Sequence, residues 1–235
     1  MGTYMRAFRR AVVGGVVATC LLAANFPAVA GAVPGQGDWE STLLPRDFNN
    51  DGQADAFYDV TLNVTWLAQE FGGGNWAAVS AWAVGLTAGG VSGWRLPVIQ
   101  APQLGNCSGS FTGGNGCGFN VDTSKSELAH LFYVTLGDKA AYAVNGLPQV
   151  GYGLTNTGPF PFLYGAYFTG TAAGNGYAAW YFNNDTGYQG IWGTNQGLPG
   201  IAVHGGDVAA AIPEPSPALL LIAGASILWM RQRQR

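Results

Sequence analysis

Apolar and polar residues alternate in some parts of the chain and follow helical spacing in others. Residues 57–66 (FYDVTLNVTW) alternate and are rich in β-branched side chains, so they predict one strand. Asn75 then stands where a helix N-cap is expected. The apolar positions that follow it at helical spacing are Trp76, Val79, Ala83 and Leu86, with Gly89 and Gly90 at the predicted end.

A second helix is predicted further along, where Ser124 and Glu127 have the spacing of a capping box. Its apolar positions are Leu128, Leu131, Phe132 and Leu136, and Gly137 would end it. The last part predicts strands at residues 164–171, 177–182, 188–192 and 201–204, and the turn at residues 183–187 would join the middle two strands as a hairpin. Helices early and an antiparallel meander late indicate an α+β fold.

Both chain ends carry short apolar runs. At the N-terminus, Arg6, Arg9 and Arg10 precede the run at residues 11–24, and Ala28-Val29-Ala30 follows it. This order predicts a signal peptide over residues 1–30, cut after Ala30 or alternatively after Ala32. Cys20 lies within the run. Because Thr19 is a poor residue before a lipoprotein cysteine, we interpret Cys20 as part of the discarded segment.

The C-terminus combines three elements in order: Pro213-Glu214-Pro215, an apolar run at residues 218–230, and a basic tail with Arg231, Arg233 and Arg235. The run is shorter than the ~20 residues that a helix needs to span a bilayer. Arginines resist crossing the membrane and would hold the tail in the cytoplasm. The pattern favours a transient membrane contact over a permanent anchor.

This tail, residues 212–235, resembles the PEP-CTERM sorting signal of Gram-negative bacteria. The resemblance implies processing by an exosortase and an address at the cell surface or in the extracellular matrix. A proline-rich linker before an ordinary tail anchor is the alternative.

The segment between the two ends, residues 31–211, has the size of one domain. The whole chain has 37 glycines, 13% aromatic and only 10% charged residues, which is typical neither of a disordered chain nor of a helical bundle. Within the domain, four basic and twelve acidic side chains give a net charge of −8. An acidic surface repels polyanions, so we expect no nucleic-acid partner.

Two cysteines, Cys107 and Cys117, flank a glycine-rich segment of the domain. In an exported protein, such a pair is typical of a disulfide. Metal binding is the rival interpretation, but no histidine lies nearby in the sequence to complete a ligand set. The disulfide is therefore favoured.

A series of motifs runs through nearly the whole domain. They are Tyr58-Asp59, Thr65-Trp66-Leu67, Trp76, Ala81-Trp82-Ala83, Gly93-Trp94-Arg95-Leu96-Pro97, residues 126–131, residues 155–160, residues 179–182 and residues 206–208. Together they resemble the Lcl C-terminal domain family, which is named after a collagen-like adhesin and is abundant among PEP-CTERM proteins. The Trp-Arg-Leu-Pro element is also similar to one in the sulfatase-modifying-factor group. The resemblance implies a C-type-lectin-like fold with two helices and a C-terminal antiparallel sheet.

The resemblance is weaker near the end of the domain. His204 stands where relatives would often have an arginine, and Phe168 stands where a tryptophan and serine would be more usual. His204 and Asp207 could orient a catalytic base, but no nucleophile is identifiable and both domain cysteines are expected to be bonded. His130 is interpreted as structural. The sequence therefore predicts a protein that is not an enzyme.

Residues 47–55 reproduce the first half of a calcium loop. Oxygen-bearing side chains recur at Asp47, Asn49, Asp51 and Asp55, and Gly52 allows the sharp turn. Tyr58 occupies the position where a bidentate glutamate is usual. The alternative is an acidic turn that binds no metal. No other cofactor is expected.

Two functions remain open. The first is a surface or matrix module that binds exopolysaccharide or another glycan, with Trp180, Tyr181, Tyr188 and Trp192 as aromatics that could stack on sugar rings. Alternation along strands would bury about half of them, so none is assigned as a site. The adhesin that names the family is associated with sulfated glycans, but the acidic charge argues against that ligand here. The second is a structural biofilm-matrix protein without a specific ligand.

Overall fold

The structure is a computed structural model that describes residues 30–103, 110–111, 114, 116–174 and 176–208. The described residues form three short α-helices, one π-helical turn and eight strands. In chain order these are α1 (Trp39–Thr42), β1 (Leu43–Arg46), β2 (Ala56–Asp59), β3 (Val64–Gly74), α2 (Trp76–Gly85), β4 (Gly118–Phe119), α3 (Glu127–His130), the π-helical turn (Leu131–Thr135), β5 (Ala166–Ala173), β6 (Ala178–Asn183), β7 (Tyr188–Gly193) and β8 (Leu198–Gly205).

The strands make two four-stranded antiparallel sheets. The first has the order β1-β2-β3-β8 and the second has the order β4-β7-β6-β5. The architecture is mostly β with short helices and many loops, which agrees with the expected α+β, loop-rich class. It has three short helices where two were predicted, and α1, β1 and β4 were not predicted.

The prediction of one strand over residues 57–66 is wrong, because the chain turns back in its middle. β2 ends at Asp59 and β3 begins at Val64, and the two strands pair with each other. The Asp59 carboxylate accepts hydrogen bonds from the backbone N–H groups of Thr61 (2.9 Å) and Leu62 (3.0 Å). A short acidic side chain that accepts hydrogen bonds from the backbone N–H groups two and three residues later favours a turn over an extended strand.

The predicted start of α2 is confirmed. The side chain of Asn75 accepts a hydrogen bond from the backbone N–H of Ala78 at 2.9 Å. The helix ends at Gly85, however, and not at Gly89 and Gly90. Gly89 has a φ of +61°, and the ring of Phe48 lies so close that a Cβ there would be 2.7 Å from it.

The capping box at Ser124 is also wrong. The N-cap of α3 is Ser126, whose hydroxyl accepts from the backbone N–H of Ala129 at 3.4 Å. Ser124 instead donates to the Asp122 carboxylate at 2.7 Å, and the Glu127 carboxylate binds Arg95 rather than the helix start. After four residues the helix widens into the π-helical turn, and Gly137, with a φ of +67°, follows it as predicted.

The late strands lie close to their predicted positions. The turn between β6 and β7 is confirmed, since the N–H of Gly187 donates to the carbonyl of Asn183 at 2.8 Å. The meander stops after β7, however. β8 leaves the second sheet and pairs with β3 in the first, so the last strand closes the N-terminal half of the domain.

The hydrophobic core has two main clusters, to which β5 and β8 both contribute. In β8, Ile201 and Val203 belong to the first cluster and Ala202 to the second; in β5, Tyr167 belongs to the first and Phe168 to the second. The first cluster includes α3 and the π-helical turn, and the second includes α2. Alternating strand residues therefore fill cores on opposite faces of the strands.

Candidate functional site

Six aromatic rings form one connected group at the second sheet, here called the aromatic strip. They are Phe111, Phe119, Tyr142, Tyr181, Tyr188 and Trp192. Neighbouring ring centroids lie 5.0 to 6.3 Å apart, from the stack of Phe111 on Phe119 to the edge contact of Tyr181 with Trp192. These distances are typical of favourable aromatic pairs.

Strand pairing places four of the six rings, those of Phe119, Tyr181, Tyr188 and Trp192, on one face of the sheet. Tyr181 pairs with Gly190 across β6 and β7, and Tyr188 pairs with Phe119 across β7 and β4. Because paired residues share a face, these side chains point the same way, while Trp180 and Phe182 point the other way. Of the four aromatics considered from the sequence, Trp180 is 1% exposed and belongs to the core, and Trp192 is 41% exposed.

Gly190 lets the two tyrosines lie across the strand. An added Cβ at this position would come within 2.7 Å of the Tyr188 ring and 3.0 Å of the Tyr181 ring. The rings therefore cover the backbone of Gly190, and their outer faces remain partly open to solvent. Gly190 was not predicted from the sequence, where a glycine two positions after Tyr188 was the available signal.

The strip has an uncharged setting. β4, β5, β6 and β7 contain no acidic or basic residue. Burial raises the pKa of the Tyr188 phenol, and burial together with the neighbouring Tyr188 raises the pKa of Tyr181. Both phenols therefore stay neutral well above neutral pH. Such a surface can pack against the C–H faces of a sugar ring and donate or accept hydrogen bonds at its edge.

The four residues predicted to bind calcium lie together in the acidic loop, residues 47–55, between β1 and β2. The Asp47 carboxylate accepts from the backbone N–H groups of Asn49, Asn50, Asp51 and Gly52 at 2.7 to 3.3 Å. These bonds, led by the one from Gly52, hold the pKa of Asp47 below its usual range. Asn49, Asp51 and Asp55 each accept one further N–H bond.

In the part of the chain that the structure describes, no three His, Cys, Asp or Glu side chains converge as a metal site. Side-chain amides and backbone carbonyls also bind calcium. The calcium loop therefore stays a prediction.

The suggested pair of His204 and Asp207 is not formed. Asp207 instead makes a two-pronged ion pair with Arg46, with both N–O distances 2.7 Å, and this pair lowers the pKa of Asp207. His204 lies edge-on to Trp94, with ring centroids 5.7 Å apart. His130 is the last residue of α3, and its Nε2 atom is buried without a hydrogen-bond partner.

The Trp-Arg-Leu-Pro segment joins the two halves of the domain. Trp94 and Leu96 are buried, and the backbone of Arg95 exchanges two hydrogen bonds with Val203 of β8. The Arg95 guanidinium bonds both oxygens of Glu127 at 2.7 Å.

Two clefts open on the described surface. A cleft of about 230 Å³ lies beside Arg95 and is lined by Trp76, Ser80, Val84, Arg95, Leu96, Val98 and Gly170. A second cleft, of about 290 Å³, adjoins the acidic loop at Phe48, Asp55 and Gln69.

The remaining predicted sites are only partly visible. Cys117 is disulfide-bonded and 4% exposed, whereas Cys107 lies outside the described residues, so their pairing stays a prediction. The signal peptide up to residue 29 and the sorting signal also lie outside them, including Pro213, Glu214, Pro215 and the tail arginines Arg231, Arg233 and Arg235. None of the helices within the described ranges has the length and apolarity to cross a membrane.

Comparison with protein families, with curated proteins and with solved structures gives no match for this chain.

Proposed function

We propose that this chain is a non-catalytic protein of the cell surface or extracellular matrix of a Gram-negative bacterium, and that it binds a neutral exopolysaccharide through the aromatic strip. The proposal includes a lectin-like fold, export by the N-terminal signal and processing of the C-terminal tail by an exosortase, with transient contact with the inner membrane. The aromatic strip is the observation that supports glycan binding.

The geometry of the strip supports a sugar ligand. Tyr181, Tyr188 and Trp192 are partly exposed on adjacent strands and contact one another through their rings. A row of rings gives successive sugar units successive surfaces on which to stack. The backbone of two paired strands fixes the ring positions before the ligand arrives, which lowers the entropy cost of binding.

The charges support a neutral ligand. The strands that carry the strip have no basic residue, and the domain has a net charge of −8. A sulfated or other polyanionic glycan would meet repulsion with no arginine or lysine on these strands to offset it.

The residues on both sides of the expected cut after Ala30 contact the loop before β5, and a cut there would remove the bond that the Tyr164 hydroxyl donates to the Ala30 carbonyl at 2.8 Å. The carbonyl of Gly31 accepts from the N–H of Thr157 at 2.9 Å, and the N–H of Val33 donates to the side chain of Asn156 at 2.8 Å. A cut after Ala32 would remove the Gly31 bond as well. Mass spectrometry of the exported protein tests both cuts, and we expect Gly31 at the N-terminus and a C-terminus near residues 213–216.

Glycan-array binding followed by calorimetry tests the proposal. Trp192→Ala should weaken binding to a neutral polysaccharide about tenfold, which corresponds to ~1.4 kcal/mol for one stacked ring. Gly190→Ala should weaken it as well, because its Cβ would displace both tyrosine rings. Gly72→Ala in β3 is the matched control, since an added Cβ there meets no atom within 4 Å.

An array without any hit, or a hit whose affinity is unchanged in both strip variants, would contradict the proposal. Loss of biofilm cohesion on deletion of the protein, together with no glycan hit, would favour the alternative of a structural matrix protein. An exposed apolar surface elsewhere in the domain supports that alternative independently.

A further inference from the structure

Residues 140–184 contain no aspartate, glutamate, lysine or arginine, although the domain has a net charge of −8. Within this stretch, residues 141–152 fold back on themselves and are here called the apolar hairpin. Tyr142 pairs with Pro148, and the N–H of Ala143 donates to the carbonyl of Leu147 at 2.9 Å. Asn145 and Gly146, whose φ is +79°, form the turn at its tip.

The hairpin is anchored to the rest of the domain. The side-chain amide of Asn120 donates to the carbonyl of Tyr142 at 2.8 Å. The ring of Phe111 lies against Gly146, where an added Cβ would be 3.2 Å away. The hairpin therefore presents its outer side chains in a fixed arrangement.

Four of those side chains are apolar and open to solvent. Val144 is 61%, Leu147 62%, Val150 97% and Tyr152 50% exposed. Single exposed apolar residues are ordinary on a protein surface, but a cluster of four on one anchored hairpin marks an interaction surface. The domain itself does not cover it.

We propose that the apolar hairpin binds the same hairpin of a second copy of this chain, related by a two-fold axis. Two copies with a charge of −8 repel each other, and this repulsion is weakest where the facing surfaces carry no charge. The hairpin lies in the longest uncharged stretch of the domain, so contact there costs the least electrostatic free energy.

The charges at the base of the hairpin distinguish a second copy from a lipid surface. The Lys139 carbonyl accepts from the N–H of Gly153 at 2.9 Å, and the Asp185 carbonyl lies directly against the same glycine. Both side chains are exposed and carry opposite charges. In a two-fold contact residue i meets j and j meets i, so one lysine and one aspartate are self-complementary. An anionic lipid surface would instead favour a group of basic residues.

Tyr142 belongs to both the hairpin and the aromatic strip. A dimer formed through the hairpin would therefore place two strips near each other. One long polysaccharide could then occupy both strips, and its apparent affinity would rise without any new contact. Self-association itself does not depend on sugar binding, so it can be measured without a glycan.

Sedimentation velocity on the exported protein, with its termini defined by mass spectrometry, tests the proposal. The wild type should associate reversibly. Leu147→Glu with Val150→Glu should raise the dissociation constant at least tenfold, because two charges would enter an apolar contact. Val84→Glu is the matched control, since Val84 is 70% exposed on α2, and should leave association unchanged.

A charge exchange separates the two-fold contact from nonspecific stickiness. Lys139→Glu and Asp185→Lys should each weaken self-association, and a mixture of the two variants should restore it, because each lysine then faces an acidic residue of the other copy. A wild type that stays monomeric at every concentration would overturn the proposal. So would association unaffected by the Leu147 and Val150 substitutions, or binding of neutral lipid vesicles by a monomer that those substitutions abolish.

Discussion

The two sheets are both four-stranded and antiparallel, but their side chains interact in different ways. The first sheet and its borders contain charged residues, and two ion pairs link them: Arg46 with Asp207 and Arg95 with Glu127. The strands of the second sheet contain none. Rings hold that side together, as in the contact of Phe132 with Phe182, whose centroids are 5.4 Å apart.

This difference shows where the domain has interactions left to make. In the first sheet and its borders, here called the charged side, exposed charged groups already have hydrogen-bond partners within the domain. The acidic loop folds around the carboxylate of Asp47, and Asp207 binds Arg46. In the second sheet and the apolar hairpin, here called the neutral side, parts of the rings and of the aliphatic side chains remain exposed to solvent. Water already satisfies exposed polar groups, whereas exposed apolar area gains free energy only from burial against a partner. Both proposals therefore concern the neutral side.

The largest expected effect on the free energy of unfolding is that of removing Glu127, which tests whether ion pairs stabilise the charged side. Glu127 is 14% exposed, and its carboxylate bonds Arg95 twice and the N–H of Val98 once, each at 2.7 Å. Glu127→Ala should lower the free energy of unfolding by about 2–3 kcal/mol, because the Arg95 guanidinium would keep only the Leu96 carbonyl as an acceptor and the N–H of Val98 would lose its partner. Urea denaturation measures this without the screening that a salt denaturant adds.

Asp207→Ala is the comparison, since it breaks an ion pair of the same geometry whose carboxylate is more exposed, 37% against 14% for Glu127. Arg46 would keep the Pro45 carbonyl as an acceptor and the Tyr58 ring beside it, so the loss should be only about 0.5–1 kcal/mol. Equal losses in the two variants would show that burial does not set the strength of these pairs. The contrast drawn for the charged side would then fail.

Asp138 gives the next largest expected effect on the free energy of unfolding. It is an acidic residue beside the uncharged neutral side. It lies just before the uncharged stretch and is 4% exposed, and burial raises its pKa to about 6. Its Oδ1 accepts from the N–H groups of Thr155 and Asn156 and from the Gln36 side chain, but its Oδ2 has no partner. This carboxylate holds the N-terminal segment against the loop before β5.

A raised carboxyl pKa in the folded state makes stability fall as pH rises. Between the ordinary value of 3.8 and about 6, the folded protein binds more protons than the unfolded one. The free energy of unfolding should therefore decrease by about 1–3 kcal/mol from pH 4 to pH 6.5 through this group. Asp138→Asn should remove that decrease, as measured by urea denaturation at several pH values. Asp122→Asn, at an exposed carboxyl whose pKa is lowered, should leave it intact.

Sequence patterns predicted the parts of the fold that local chemistry decides. The N-cap at Asn75 and the turn before Gly187 depend on a few adjacent residues, and both were predicted correctly. The strand over residues 57–66 failed because the alternation continues through a turn that the Asp59 side chain stabilises. Pairing of β8 with β3 joins residues far apart in the chain, and no local pattern specifies it.

The candidate site was predictable only as a set of residue types. The sequence pointed to the aromatics of β6 and β7, but which of them face outward depends on the pairing register and on what covers each face. Trp180 and Tyr181 are neighbours in sequence, yet the first is in the core and the second is in the strip. Phe119 and Tyr142 reach the strip from distant segments, so only the folded chain brings them there.

The smallest expected effect on the free energy of unfolding comes from calcium binding at the acidic loop. Such binding would give the charged side a ligand as well. Asp47 already accepts four backbone N–H bonds, so the loop is formed before any metal arrives and needs little reorganisation to bind one. Its oxygens lie at alternate positions, but it has no bidentate glutamate. We therefore expect a dissociation constant on the order of 10⁻⁴–10⁻³ M, as in extracellular modules.

Calcium at ten times that constant should raise the free energy of unfolding by only about 1.4 kcal/mol. Asp51→Ala should abolish the calorimetric heat of calcium binding, while Gln53→Ala, at a side chain in the same loop that is not among the proposed ligands, should preserve it. If the wild type shows no heat and no stabilisation by calcium, the loop is an acidic turn that its own backbone satisfies. The neutral side would then be the only part of the described domain with a proposed partner, and the contrast between the two sides would become sharper.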